Sequence, residues 1–184
     1  MARFSRDDWL ALGARLLAEE GPEALTLERL TDAAGRTRGS FYHHFAGREA
    51  FLTALMDWWR AQVIDALASR LEGQSDPAAI RALLRDLPME WDTRFELGVR
   101  RLAAREPVVE AALRELDEAR IQGLAGILSV LRPDVEDAYS MAFIQYAATV
   151  GGQWILPSAD DPRIPALRRL GNRLFGLDEP EPSA

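Results

Sequence analysis

Gly35 divides two short helical patterns, and this punctuation constrains the chain more than any other feature of its sequence. Upstream of it, Thr26 precedes Leu27, Leu30, Ala33 and Ala34 at helical spacing, and its hydroxyl is suited to accept a hydrogen bond from a first-turn amide. A glycine just past the last periodic residue can take the left-handed conformation that closes a helix, and Thr37 stands where it can cap the next one. The layout predicts a helix-turn-helix, whose second helix is shaped to enter a major groove. On that helix Arg38, Ser40, Tyr42 and His43 supply donors and acceptors for base edges and phosphates.

The remaining sequence reads as one helical pattern after another. Ser5 and Asp8 resemble a capping pair ahead of an apolar stripe of Trp9, Leu12, Leu16 and Leu17, which Gly21-Pro22 ends. This first helix is expected to pack on Leu27, Leu30, Phe41 and Phe45, making a head small enough to need support from later segments. Leu52, Met56, Trp59, Val63 and Leu67 predict a long connecting helix from Arg48 to about Leu71, roughly 36 Å at 1.5 Å per residue. After the loop Gly73-Gln74-Ser75-Asp76-Pro77, three more apolar series follow: Ile80 to Leu87 before Pro88, Trp91 to Leu102 before Pro107, and Val109 to Leu131 before Pro133.

From Ala138 to Leu156 no residue is charged and apolar side chains lie all round the helix, which predicts burial on every side. Ser140, Gln145, Thr149 and Gln153 argue against lipid as the surroundings, so a second subunit is the expected cover. Ala148 and Gly152 would let a partner helix approach closely, and Leu167, Leu170 and Leu174 on a final amphipathic helix would complete a four-helix dimer interface. No strand-like alternation appears anywhere. The expected fold is all-α: a helix-turn-helix head over residues 1–47, a helical effector-binding and dimerisation domain over 48–176, and a disordered tail over 177–184.

A resemblance rests on the same residues. Gly39-Ser40-Phe41-Tyr42-His43-His44-Phe45, followed by Arg48-Glu49-Ala50-Phe51, resembles the recognition-helix signature of the TetR family of transcriptional regulators, with Thr26 and Ala33-Ala34-Gly35 in register upstream. The signature ties turn, aromatic and basic positions together over about 25 residues, more than a bare helix-turn-helix match does. It implies that Arg38, Gly39, Ser40 and His43 meet bases, that Thr26, Thr37, Tyr42, His44 and Arg48 hold phosphates, and that Arg36 adds a phosphate contact where the family usually has a small aliphatic residue. Phe41 replaces a usual leucine, and Gly47 a usual capping serine or asparagine. The resemblance further implies a homodimer on a near-palindromic operator, repressing until a small-molecule effector shifts the population toward a form whose heads no longer match the operator. Trp91, Phe95, Tyr146 and Trp154, with Gln145 or Arg120 as a polar anchor, are candidates to line the effector pocket, and they suit an ordinary helical core equally well.

Charge opposes a nucleic-acid partner at first sight, since the formal net charge is -7. Residues 1–60 are nearly balanced, with eight arginines against nine acids, and Arg36 to Arg48 contain three arginines, two histidines and no acid. The local field at the groove-facing surface governs binding, so the objection weakens. The acidic balance and Arg36 favour one alternative, a dimeric small-molecule-binding or adaptor protein whose head has lost operator affinity. The absence of cysteine excludes disulfides and thiolate metal sites, and the N-terminus lacks the pattern of a signal peptide, so a cytoplasmic protein without membrane partner, metal or cofactor is expected. No phosphate-binding glycine loop, Gly-x-Ser-x-Gly or His-Glu-x-x-His occurs, and both histidines lie in the helix-turn-helix, so no enzyme is expected.

Overall fold

A computed structural model describes residues 4–85, 93–156, 161–174 and 176. Every regular element among them is helical: α1 (Arg6–Glu20), a 3-10 turn (Pro22–Ala24), α2 (Leu27–Ala34), α3 (Arg38–Tyr42), α4 (Arg48–Arg60), a π-helical segment (Ala61–Asp65), α5 (Ala66–Leu71), α6 (Pro77–Arg85), α7 (Thr93–Ala103), α8 (Pro107–Leu131), α9 (Ala138–Ile155) and α10 (Ile164–Leu174). Two compact units emerge, one from residues 1–63 and 91–116, the other from 64–90 and 117–184.

In the first unit the caps are those the sequence implies. The Ser5 hydroxyl accepts the Asp8 amide at 3.1 Å while the Asp8 carboxylate accepts the Ser5 amide at 2.8 Å, and this reciprocal pair starts α1. Trp9, Leu10, Leu16 and Leu17 of α1 are fully buried. They meet an aromatic cluster centred on Phe41, whose ring lies edge-on to Trp9 at 5.4 Å and 5.5 Å from Phe51, itself edge-on to Phe45. The support that so small a head requires comes from α7. A Cβ at Gly98 would stand 2.8 Å from the Leu17 side chain and 2.9 Å from its carbonyl oxygen, so only glycine lets α7 lie this close to α1. Trp59 of α4 is edge-on to Phe95 of α7 at 5.3 Å, and the buried Glu96–Arg100 pair at 2.9 Å sits on the same helix.

The stretch from Arg48 to Leu71 is helical throughout its expected length, but it is not one uniform α-helix. Residues 61–65 are wound as a π segment without a single buried side chain. An i→i+5 turn admits one extra residue, and no fully buried side chain holds this stretch in α phase.

Two apolar clusters lie among the described residues of the second unit. Ile80 of α6 joins Ile127 and Leu131 of α8, and Ile121, Leu128 and Ala142 form the other with Leu124, Met141 and Tyr146 around them. Asp137 caps α9 by accepting the Ser140 amide at 2.9 Å. Within a single chain α9 is covered on one face, and the cover expected for its other side belongs to a second subunit, which a single chain does not contain. Ala142 is its one fully buried residue, while Phe143, Ile144, Trp154 and Ile155 are 52–75% exposed, because α8 covers only one of its faces. No helix among the described residues is long and apolar enough to cross a membrane.

Candidate nucleic-acid interface

The turn forms from three local decisions. The Thr26 hydroxyl accepts the Arg29 amide at 3.1 Å and starts α2, Gly35 ends it at φ +59°, and the Thr37 hydroxyl accepts the Ser40 amide at 3.3 Å to start α3. Thr31, buried inside α2, returns its hydroxyl to the Leu27 and Glu28 carbonyls at 2.9 Å, so that buried hydroxyl is satisfied within its own helix. Phe41 fixes the rotation of α3 by entering the aromatic cluster. Arg38, Gly39, Tyr42 and His43 are left exposed at i, i+1, i+4 and i+5, with Ser40 half-buried beside them.

The flanking candidates are placed differently from one another. Arg36 is half-buried, its guanidinium 5.7 Å from the centre of the Phe4 ring. The His44 ring nitrogen Nε2 lies 3.1 Å from the Phe4 carbonyl oxygen, a contact in which only a protonated Nε2 can donate. Arg48 donates from Nε to the Leu25 carbonyl at 3.1 Å and pairs through Nη1 with Glu106. Position in sequence alone gives no signal of Glu106, which meets Arg48 across fifty-eight residues of chain. Arg105 beside it pairs with Glu23.

The expected effector-site residues are spread over both units. Phe95 is a buried core residue of the first unit, and Trp91 lies outside the described residues. In the second unit Arg120 is buried and donates from Nη1 to the Tyr146 hydroxyl at 2.9 Å, and that hydroxyl donates to Asp117 at 2.6 Å. Asp117 and Arg120, three apart on α8, are thus joined through α9 rather than only along the helix surface. Gln145 is half-buried with its side-chain oxygen enclosed and lacking a hydrogen-bond partner, and Trp154 is half exposed. An open depression lies elsewhere, lined by Asp65, Ala68, Ser69, Leu71 and Glu72. Of the expected interface residues, Leu167, Leu170 and Leu174 are about half exposed, Ala148 is exposed and Gly152 half-buried.

A capped five-residue helix presenting polar side chains from an aromatic core, followed by further helices, defines a helix-turn-helix protein with an all-helical body. Residues 10–55 match the model of the bacterial regulatory proteins of the tetR family. Over those residues the chain is similar to that family. It is 38% identical over 74 residues to the HTH-type transcriptional repressor KstR2 of Mycobacterium tuberculosis, an alignment covering 36% of this chain and 37% of that one, so it spans little more than a third of that relative. The KstR2 repressor of Rhodococcus jostii is 28% identical over 172 residues, 83% of this chain and 80% of the relative. The crystal structure of a transcriptional regulator from Saccharomonospora viridis in complex with choline shares the fold, with a TM-score of 0.74 at 15% identity over 92% of this chain and 94% of that one.

Proposed function

We propose that the chain is a DNA-binding transcriptional regulator, a repressor that leaves a near-palindromic operator when a small molecule binds. The observation that carries this reading is the α3 surface: Arg38, Gly39, Tyr42 and His43 face outward together from a helix whose Phe41 is anchored in the core, within the segment that matches the family. A five-residue helix has little stability alone, so an anchored ring and a threonine cap are what hold such side chains ready for a groove. Ser40 is assigned to bases with Arg38, Gly39 and His43, while Thr26, Arg36, Thr37, Tyr42, His44 and Arg48 are assigned to the phosphate backbone. Repression is supported by the KstR2 relatives, which are transcriptional repressors.

The body over residues 48–176 is assigned effector binding and dimerisation. Arg120, Tyr146 and Gln145 place polar groups among apolar side chains of the second unit, the composition of a small-molecule site, and the Saccharomonospora viridis regulator is itself bound to choline. The uncovered apolar side chains of α9 and α10 assign a second copy of the chain as partner. Two heads would then sit about 34–36 Å apart on successive major grooves.

The test is a gel shift, at stated salt, on the DNA upstream of the chain's own coding sequence. The wild type should bind, and Arg38→Ala/Tyr42→Ala should lose at least tenfold in affinity, as expected when contacts worth about 1–3 kcal/mol are removed. Equal binding by the double variant sinks the assignment of α3. Absence of wild-type binding to any duplex favours the ligand-binding or adaptor alternative.

A further inference from the structure

Resting on that DNA-binding reading, we propose that Glu106 is a built-in competitor for DNA phosphate at Arg48: the ion pair is closed in the free protein and opens when the guanidinium turns to the backbone of a bound duplex. Arg48 is the first residue of α4, directly after the recognition segment, and its side chain is 44% exposed. Its Nε is held by the Leu25 carbonyl, next to the Thr26 cap, so the guanidinium is kept beside the N-terminus of α2, where a phosphate is also favoured. Nη1 meets the Glu106 carboxylate. A carboxylate and a phosphate offer a guanidinium the same anionic oxygens, and the planar fork suits either. Whichever anion holds it excludes the other.

Glu106 is fixed where it can compete. It precedes Pro107 at the start of α8, and its carbonyl accepts the Val109 and Glu110 amides at 2.9 and 3.0 Å. The corner between α7 and α8 is held independently of Arg48, because the Glu106 carbonyl caps α8 and α7 is locked to α1 at Gly98. Exchange of partners at Arg48 therefore needs only side-chain rotation. An ion pair this exposed is weak enough to yield to a duplex, where each neutralised phosphate releases condensed counterions.

The experiment measures affinity against salt concentration for two labelled duplexes, the region upstream of the coding sequence and an unrelated duplex of equal length. Glu106→Gln should bind both about two- to fivefold more tightly per subunit with the wild-type salt slope. Arg48→Gln should bind more weakly, its slope in log K against log salt shallower by about 0.9 per subunit. Arg48→Gln/Glu106→Gln should match Arg48→Gln alone, and Arg48→Lys, which keeps the charge, should keep the slope. Melting curves identify any variant whose head has lost its fold, and Arg48→Lys then carries the slope measurement. No gain from Glu106→Gln, or an unchanged slope in Arg48→Gln, overturns the proposal and leaves Arg48 a strut between segments. Failure of the wild type to bind either duplex overturns the DNA-binding reading itself, and this one with it.

Discussion

Phe41 stands at the centre of the head, with Trp9, Tyr42, Phe45 and Phe51 in contact with its ring. A leucine here would leave part of that space empty, so Phe41→Leu should lower stability by about 1–2 kcal/mol in urea denaturation and weaken DNA binding, since α3 has no second anchor of this size. Asp161 gives a pH-dependent prediction. The Arg163 guanidinium and backbone amide beside it, with Nε at 2.8 Å and N at 2.9 Å, lower its carboxyl pKa from 3.8 to about 2. A depressed folded-state pKa means the contribution is fully present above pH 3.8 and is lost as pH falls toward 2. NMR titration of the Asp161 carboxyl should find its midpoint below that of an ordinary aspartate, and Arg163→Ala should return it upward. A midpoint unaffected by Arg163→Ala would refute the pairing.

At the scale of elements, α1 and α7 are a pair whose separation is tightly specified. Gly98→Ala must push Leu17 or its backbone aside, and should destabilise the first unit by about 1–3 kcal/mol; an unchanged denaturation midpoint would show that the helices part without strain. Two exposed pairs of opposite polarity, Arg105 with Glu23 and Glu106 with Arg48, link the start of α8 to the 3-10 turn and to α4 without fixing it there. Periodicity did predict α2, α3, α8, α9 and α10 near their observed bounds, because each has a cap or breaker within a few residues of its apolar stripe. The π segment at residues 61–65 escaped that reading. Apolar spacings of three and four are compatible with α phase throughout, and the extra residue per turn arises where no core side chain holds the register.

For the whole molecule, the second copy of the chain is the quantity most open to measurement. Ile144 is 64% exposed and Leu170 46% exposed on helices otherwise rich in apolar residues, an uncovered surface of the kind that marks a protein interface. If the proposed dimer forms, the wild type should sediment as a dimer and Ile144→Glu/Leu170→Glu as a monomer, and the variant should lose operator affinity far more than unrelated-duplex affinity, because only a pair of heads gains from half-site spacing. A variant that stays dimeric would move the interface to another face.

The sequence by itself determined what depends on near neighbours: the Ser5, Thr26 and Thr37 caps, the left-handed Gly35, the outward set of Arg38, Tyr42 and His43, and the all-helical class. These follow from backbone sterics and hydrogen bonds within a turn or two, which local residue order encodes directly. The tertiary structure alone decided which distant side chains meet. It placed His44 on the Phe4 carbonyl, gave Arg48 to Leu25 and Glu106, joined Tyr146 to Asp117 and Arg120, and let α7 lie against α1 at Gly98. A charged side chain can pair with any opposite charge that the fold brings within reach, so its partner is a property of packing and not of local order.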